Sequence, residues 1–470
     1  MRLMVTSQAP AAHVDPDLAR LRAAVTGRVL GPADPDYDEH RLLWNRMIDR
    51  RPAAIVVVAD AEDARQALGF AVERGLPISI RGGGHNVSGS ALADGGIVID
   101  HRARRAVTVD PATSTVVVEP GALLGDVDAA TAPHDLAVPI GINTTTGLAG
   151  LVLGGGIGWL MRRHGLTSDH LIGADVVLAD GTLVQAAEDA DADLLWALRG
   201  GGGNFGIVTR FVFRAVRQDR ELIAGLTAFP LEQGEEVLRR YRDWTAGLPR
   251  SITAIAALRS LLPVQRVASE LHGRQVVVVG FCATDNDDGA AAAAGVAGLG
   301  QALFSSVGRK PFVKHQTAFD VTVPPGLDYY WKSHFLTGLP DAAIDRLVEL
   351  HRQRPTDWSY SILPQLGGAI ADIPETATAY ANREAPLAVN VNGIAADPAD
   401  RERIVAWTRL VFDEMAPFST GGVYVNFMGD EGDARVRAAY GPAYERLAAL
   451  KARYDPDNVF RTNQNIRPGA

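Results

Sequence analysis

The chain is poor in cysteine, in basic charge and in long apolar runs. A single cysteine among 470 residues, Cys282, excludes an intramolecular disulfide and any cluster of thiolate ligands. Lys and Arg total 46 against 55 Asp and Glu, a formal net charge of −9. Phosphate binding needs a basic face, so no nucleic-acid partner is expected. No stretch of about 18 apolar residues occurs, so no membrane-spanning helix is expected. Residues 1–16 lack the apolar core and small-residue cleavage site of a secretory signal and carry no twin-arginine pair, so the expectation is a cytoplasmic protein. A P-loop lysine, an H-E-x-x-H and a G-x-S-x-G are all missing, which removes NTPase, zincin and α/β-hydrolase readings at the motif level.

Glycine is plentiful, 48 residues, and three stretches concentrate it. The first is Ile80-Arg81-Gly82-Gly83-Gly84-His85-Asn86-Val87-Ser88-Gly89, after a β-like run at 77–80. Glycines in a row have no side chains to pack; they let main-chain N–H groups approach a ligand and form an anion-binding concavity. Arg81 would add positive charge at its edge and His85 would be held against the ligand. A glycine-rich surface turn with a solvated histidine is the competing reading. The second stretch, 139–158, holds seven glycines and, as Asn143-Thr144-Thr145-Thr146, four small polar residues. It is too interrupted to cross a membrane and too poor in volume for a core, which favours backbone that hugs a ligand. The third, Arg199-Gly200-Gly201-Gly202-Gly203-Asn204-Phe205-Gly206, satisfies G-x-G-x-x-G. A dinucleotide fingerprint follows a strand and opens a helix. This stretch follows a helical pattern (191–198) and opens a strand pattern (207–213), so NAD binding is rejected.

A chain of this length is expected to form two domains, or two intertwined ones. Before residue 216, short β-branched runs at 53–59, 77–80, 96–100, 107–109, 115–118 and 173–178 alternate with helical spacing at 17–26, 60–75 and 121–131, a small α+β unit. Beyond it, strand patterns at 222–229, 253–258, 275–281, 359–366, 387–392 and 422–427 mix with helical patterns at 235–244, 289–303 and 341–353. That is the texture of one antiparallel sheet with helices on one face. In 387–392, Leu387, Val389 and Val391 share one face; Ala388, Asn390 and Asn392 share the other, lining a polar cavity or a solvated sheet face. Tyr424-Val425-Asn426-Phe427 is expected to end a strand, and 440–450 to be a helix. The dense turn and amide residues of 455–466 predict a tail that docks back on the first domain.

Taken in order, Arg-Gly-Gly-Gly-His-Asn, Gly-Leu-Val-Leu-Gly-Gly-Gly-Ile-Gly, Arg-Gly-Gly-Gly-Gly-Asn-Phe-Gly-Ile-Val-Thr, Tyr-Val-Asn-Phe and Tyr-Asp-Pro-Asp-Asn-Val-Phe resemble the vanillyl-alcohol-oxidase type of FAD flavoprotein, in its berberine-bridge-enzyme-like branch. The resemblance spans nearly all of the chain after residue 35. It implies an α+β fold: a two-part FAD-binding domain, 35–216 plus the returning segment 421–470, with an inserted substrate domain, 217–420, built on an antiparallel sheet covered by helices. It implies FAD attached covalently through His85. The position where this branch often carries a second, cysteinyl tether is Asn143, so a single link is expected. The implied cofactor contacts are Arg81, Gly82, Gly83, Gly84, His85, Asn86, Ser88 and Gly89; Gly141, Asn143, Thr144, Thr146, Gly147, Gly150, Gly154, Gly155 and Gly158; Gly206, Ile207 and Val208; and Tyr424 and Asn426.

The resemblance further implies oxidation of an alcohol or an activated C–H of a small molecule, with Tyr424 as catalytic base and O2 or another acceptor taking the electrons. In the family's oxygen-access position stands Thr146, shaped like the valine of oxidases but bearing a hydroxyl, which leaves oxidase and dehydrogenase both open. A flavin-bearing binding protein without turnover is a third reading. A tyrosine base near neutrality needs a nearby positive charge or hydrogen-bond donors; Lys332 is one candidate for the charge, a solvated lysine its alternative. Tyr330, Lys332, Asn390 and Asn392 are the candidate substrate contacts. Tyr329, Tyr330, Trp331 and Tyr360 form either an aromatic wall or part of a core.

Overall fold

The computed structural model describes residues 18–264 and 267–469. The first sheet contains β1 (Arg28–Leu30), β2 (Ala54–Val57), β3 (Ile78–Arg81) and β4 (Ile97–Asp100), in the order β1-β2-β4-β3. Strands β2, β4 and β3 run parallel, and β1 pairs antiparallel with β2. The helix Ala61–Glu73 crosses from β2 to β3. Asp60 caps it by accepting from the Asp63 N–H at 2.9 Å, and its Ala64, Ala67, Leu68 and Ala71 pack on the sheet. Central strands covered in this way read as unbroken apolar runs, as Ala54-Ile55-Val56-Val57 does. The glycine row 82–84 begins where β3 ends.

Next come β5 (Val107–Asp110), β6 (Thr115–Val118), β7 (Leu136–Ala137), β8 (Leu171–Val177), β9 (Leu183–Ala187), β10 (Ile207–Arg214) and β11 (Val216–Arg217). Five of them form an antiparallel sheet in the order β5-β6-β10-β8-β9, while β7 and β11 pair with each other. Its core includes Val116, Leu124, Phe211 and Phe213. It also includes Val436, Tyr440, Leu447, Tyr454 and Ile466 of the C-terminal segment, which packs against this sheet. A buried lysine fixes this docking: Lys451 Nζ donates to Asp455 Oδ2 (2.6 Å), the Asn204 carbonyl (2.8 Å) and the Phe460 carbonyl (2.9 Å). The third glycine stretch and the tail are thereby held to one another.

The third sheet, β12 (Glu221–Pro230), β13 (Ile252–Ser260), β14 (Gln275–Ala283), β15 (Phe304–Ser305), β16 (Gly308–Pro311), β17 (Asp328–Leu336), β18 (Tyr360–Pro364) and β19 (Leu387–Ala395), is antiparallel throughout. Its order is β15-β12-β14-β13-β18-β19-β17, with β16 also on β12. The helices Gly234–Ala246, Asn286–Ala297, Asp341–Arg352 and Arg401–Met415 cover one face through Leu238, Val296, Leu347 and Val411. The opposite face, with Ala224, Ile255, Ala257 and Ile362, turns toward Trp159 and Leu160 of the first half. Among the described residues, no helix is long and apolar enough to cross a membrane.

Three segments differ from expectation. Residues 422–427 are not a strand: Tyr424 precedes a single 3-10 turn, Val425–Phe427. The run is β-prone in composition, but Gly421 sits at φ +87° and a Cβ on Gly422 would stand 2.0 Å from Asn382 Oδ1, so the chain bends where a ladder would have to begin. The expected helix at 440–450 is two helices, Asp433–Tyr440 and Tyr444–Tyr454, parted by Gly441 at φ +48° and Pro442. The helix expected over 289–303 is Asn286–Ala297, ended by Gly298.

Candidate active site

A cavity runs between the glycine stretches and the inner face of the third sheet. On the loop side its lining includes Gly82, Gly83, Gly84, His85 and Asn86; Gly141, Asn143, Thr146, Gly147, Gly150 and Gly158; and Gly206, Val208, Tyr424 and Asn426. The absence of side chains is a geometric requirement there. A Cβ on Gly83 would lie 2.6 Å from the Gly147 Cα, and one on Gly82 would lie 3.0 Å from the Pro120 carbonyl oxygen. The first and second glycine stretches thus touch backbone to backbone, and Gly84 takes a left-handed φ of +69°.

His85 closes this floor. Its ring stacks on Trp44 at 4.1 Å, and Trp44 stacks in turn on Tyr329 at 3.6 Å. The His85 Nε2 is buried with no hydrogen-bond partner among the described residues. Burial holds the ring pKa down to about 4, so the imidazole is neutral at pH 7. A chain of rings leads onward from Trp44 to Trp331 (5.6 Å), from Trp331 to Phe427 (6.0 Å) and from Phe427 to Tyr424 (4.8 Å).

Tyr424 is fully enclosed. Burial pushes its hydroxyl up to about 12, against the opposing effect of Asn426 Nδ2 at 2.9 Å, the Gly156 N–H at 2.8 Å and the Ile157 N–H. Asn426 Nδ2 also reaches the Leu151 carbonyl at 3.0 Å, and Gly154 makes room for it, since a Cβ there would lie 2.3 Å from Asn426 Oδ1. The Tyr424 hydroxyl is therefore met by an amide and by main-chain N–H groups.

Lys332 does not supply the charge. Strand alternation sends Tyr330 and Lys332 to the helix-covered face of β17, away from the cavity. There Tyr330 Oη accepts from Arg409 Nε at 3.0 Å, and Lys332 Nζ pairs with Glu431 Oε2 at 2.9 Å. Trp331, one residue between them, lines the cavity, as does Tyr360, whereas Tyr329 is buried against Trp44. Asn390 lines the cavity; Asn392 lies beneath it and is not exposed at all. A solvated sheet face is thus excluded for both.

Several expected cofactor contacts take supporting positions instead. Arg81 turns away and donates to the His40 and Leu42 carbonyls, each at 2.5 Å, its pKa lowered to about 10 by burial. Ser88 Oγ donates to Asn86 Oδ1 at 2.5 Å, and Gly89 (φ +73°) packs against Ile48. Thr144 gives its N–H (2.9 Å) and Oγ1 hydroxyl (2.5 Å) to Asp320, at the start of the 3-10 turn Asp320–Thr322. Gly155, at φ +124°, faces Tyr380, and Ile207 is core.

The lining also holds residues that pattern reading missed: Trp44, His101, Arg259 and, in the tail, Phe460, Thr462, Asn463 and Gln464. Both His101 ring nitrogens lack partners among the described residues, and burial holds its pKa near about 3. A signal for it exists in the sequence, because β3 and β4 are parallel and pair Arg81 with Asp100, which sets His101 beside Gly82.

Comparison with known proteins agrees with this geometry. A family model described as FAD binding domain matches residues 52–187, and one described as berberine and berberine-like matches 423–467. The chain is 30% identical over 468 residues to the FAD-linked oxidoreductase YgaK of Bacillus subtilis, covering 95% of this chain and 98% of that one. It is 28% identical to (R)-6-hydroxynicotine oxidase of Paenarthrobacter nicotinovorans, covering 95% and 97%. Glucooligosaccharide oxidase of Acremonium strictum, whose flavin is a 6-S-cysteinyl, 8α-N1-histidyl FAD, has a similar structure: TM-score 0.85, 23% identity, 96% and 99% coverage. The glycine-built floor, the docked tail and these matches together make the chain a member of the FAD-linked oxidoreductases of the vanillyl-alcohol-oxidase type, in their berberine-bridge-enzyme-like branch.

Proposed function

We propose that this protein oxidises the CH–OH group of a small molecule, or an activated C–H, and carries its FAD on one covalent link to His85. The observation that bears this reading is the pairing, across one cavity, of a neutral imidazole with an unpartnered nitrogen and a buried tyrosine hydroxyl held by hydrogen-bond donors. Bound FAD would supply the acceptor for the hydride that leaves the substrate carbon. Main-chain N–H groups of the glycine floor would hold its phosphates. Tyr424 Oη would take the substrate hydroxyl proton, which requires an approach of about 2.6–3.2 Å. To accept that proton Tyr424 must already be ionised, although burial raises its hydroxyl to about 12; the Gly156 N–H and the Asn426 amide would stabilise that phenolate. At the position where the resemblance to this branch puts a second, cysteinyl tether, Asn143 offers no thiol, and Cys282 is buried on the third sheet, which supports a single tether.

The division of labour follows the chain: 35–216 and 421–470 hold FAD, and 217–420 holds the substrate. O2 is the proposed electron acceptor. The Thr146 hydroxyl at the cavity wall keeps a non-oxygen acceptor as the second reading. Anaerobic mixing of the yellow holoprotein with a panel of alcohols tests the whole. Bleaching near 450 nm, reversed by air with release of hydrogen peroxide, is the expected result. Bleaching that air does not reverse selects the second reading, and no bleaching with any donor contradicts alcohol oxidation.

A further inference from the structure

The inner face of the third sheet carries a cross-strand row with a chemistry of its own. Leu258 pairs with Ser361, which sets Arg259 beside Tyr360; Tyr360 pairs with Asn392, and Asn392 with Trp331. Residues directly opposite one another point to the same face, so Arg259, Tyr360, Asn392 and Trp331 form one line over β13, β18, β19 and β17. The adjacent row is Ala257, Ile362 and Asn390. Ile255, Phe319 and Val323 complete the wall, which is apolar except at the Tyr360 hydroxyl and at three further points.

The first point is Asn390, 2% exposed. Asn392 donates to its carbonyl at 2.9 Å and accepts from its Nδ2 at 3.3 Å. These bonds fix the amide and leave Oδ1 with no partner among the described residues. The second is the buried Trp331 Nε1, which likewise has no partner among them. The third is Arg259, 6% exposed, whose guanidinium lies 5.3 Å from the Tyr360 ring centroid while Nε donates to the Ser260 carbonyl at 3.3 Å. Among the described residues lining the cavity, Arg259 is the permanently charged one, and no Asp or Glu lines it.

An oligosaccharide carries hydroxyls all round and needs a partner for most of them; this wall would bury them against Ile255, Ala257, Ile362, Phe319 and Val323 at a cost for each. A flat ring matches Trp331, Tyr360 and Phe319. A guanidinium beside an aromatic face suits a carboxylate, which it binds by charge-assisted hydrogen bonds. We propose that the row selects an aromatic alcohol bearing a carboxylate: the ring against the aromatic side chains, the carboxylate on Arg259, and a further O–H or N–H donor, where present, on Asn390 Oδ1. This rests on the function proposed above and names its substrate class.

Two isosteres that lack the alcohol hydroxyl test it by anaerobic binding to the holoprotein, the unbleached band near 450 nm showing that neither is oxidised. The dissociation constants of 4-methylbenzoate and 4-methylbenzamide are read from the perturbation of the flavin absorbance, with cellobiose as the sugar control. The wild type should bind the carboxylate at least about 10-fold more tightly than the amide. The ratio should collapse to near 1 in Arg259→Gln and return in part in Arg259→Lys. Equal binding of the two isosteres by the wild type would overturn the proposal, whatever the variants do. A preference that survives Arg259→Gln, or tighter binding of cellobiose than of 4-methylbenzoate, would overturn it as well. Turnover of 4-(hydroxymethyl)benzoate and its amide separates the two layers. Carboxylate preference in binding without oxidation of either alcohol sustains the row and contradicts the alcohol-oxidation reading. Oxidation of both at equal kcat/KM, with equal isostere binding, does the reverse.

Discussion

On the loop side of the cavity, Gly82, Gly83 and Gly147 bring main chain against main chain; on the sheet side, Arg259, Trp331 and Asn390 present side chains from three different strands. A cofactor with phosphates is recognised by backbone N–H groups, which every residue has, so what the loop side demands is the removal of side chains. A substrate is recognised by particular functional groups, so the sheet side demands particular residues at particular register positions. One wall is specified by composition and the other by alignment across strands.

The comparison breaks most visibly at Gly147. A Cβ there would stand 2.4 Å from the Gly83 N–H nitrogen, so Gly147→Val should separate the two glycine stretches. Purified protein should carry less than a tenth of the wild-type flavin per chain by absorbance. At the other wall, Tyr424→Phe keeps the ring packing and removes the proton acceptor. Turnover should fall roughly 10²–10⁴-fold while the flavin content stays at the wild-type level.

The loop side was legible in the sequence because rows of glycine have no packing explanation, and 80–89, 139–158 and 199–206 all meet at the cavity. The tail could be read for a related reason: Asp455, Asn458 and Asn463 are turn and amide residues, of no use in a bare extension. The sheet side was legible only in part. β17 reads Asp-Tyr-Tyr-Trp-Lys-Ser-His-Phe-Leu, with aromatic or polar groups on both faces because helix Arg401–Met415 covers one and the cavity the other. Without alternation, Tyr330 and Lys332 could not be told from Trp331 in direction, although they stand on opposite faces. The pair Asn390 and Asn392 shows the opposite case: alternation placed both on the right face, but only register shows that Asn392 orients Asn390. The tyrosine's donors come from Asn426, two residues away, and from Gly156, 268 residues away, and no local pattern joins the second to it.

Smaller effects sharpen the contrast at the contact between the two walls. Asp128 in the helix Leu124–Thr131 accepts from Gln316 Nε2 at 3.1 Å, and burial, with Asp320 nearby, raises its pKa from 3.8 to about 7. The folded state therefore keeps a proton that the unfolded chain loses, and stability falls as pH rises from about 4 to about 7. Asp128→Asn should be neutral at pH 4 and stabilise at pH 8, by up to about 4 kcal/mol, measured by denaturant midpoints at the two pH values. On the acid side, burial holds His85, His101, His315 and His351 at about 3 to about 4. The unfolded chain takes up protons first, and stability should decline below about pH 6.5. The smallest functional effect is expected at Lys332. Lys332→Met breaks its pair with Glu431 and should cost about 1–3 kcal/mol of stability, yet kcat/KM should stay within about 2-fold of wild type, since the side chain lies outside the cavity.

The account turns on His85 as the anchor between the two walls. Acid precipitation of the purified protein, washing, and measurement of flavin fluorescence in the pellet test that directly, beside His85→Ala. Flavin retained in the wild-type pellet and released from the variant is the predicted result. Flavin released from both, or retained by both, would contradict it.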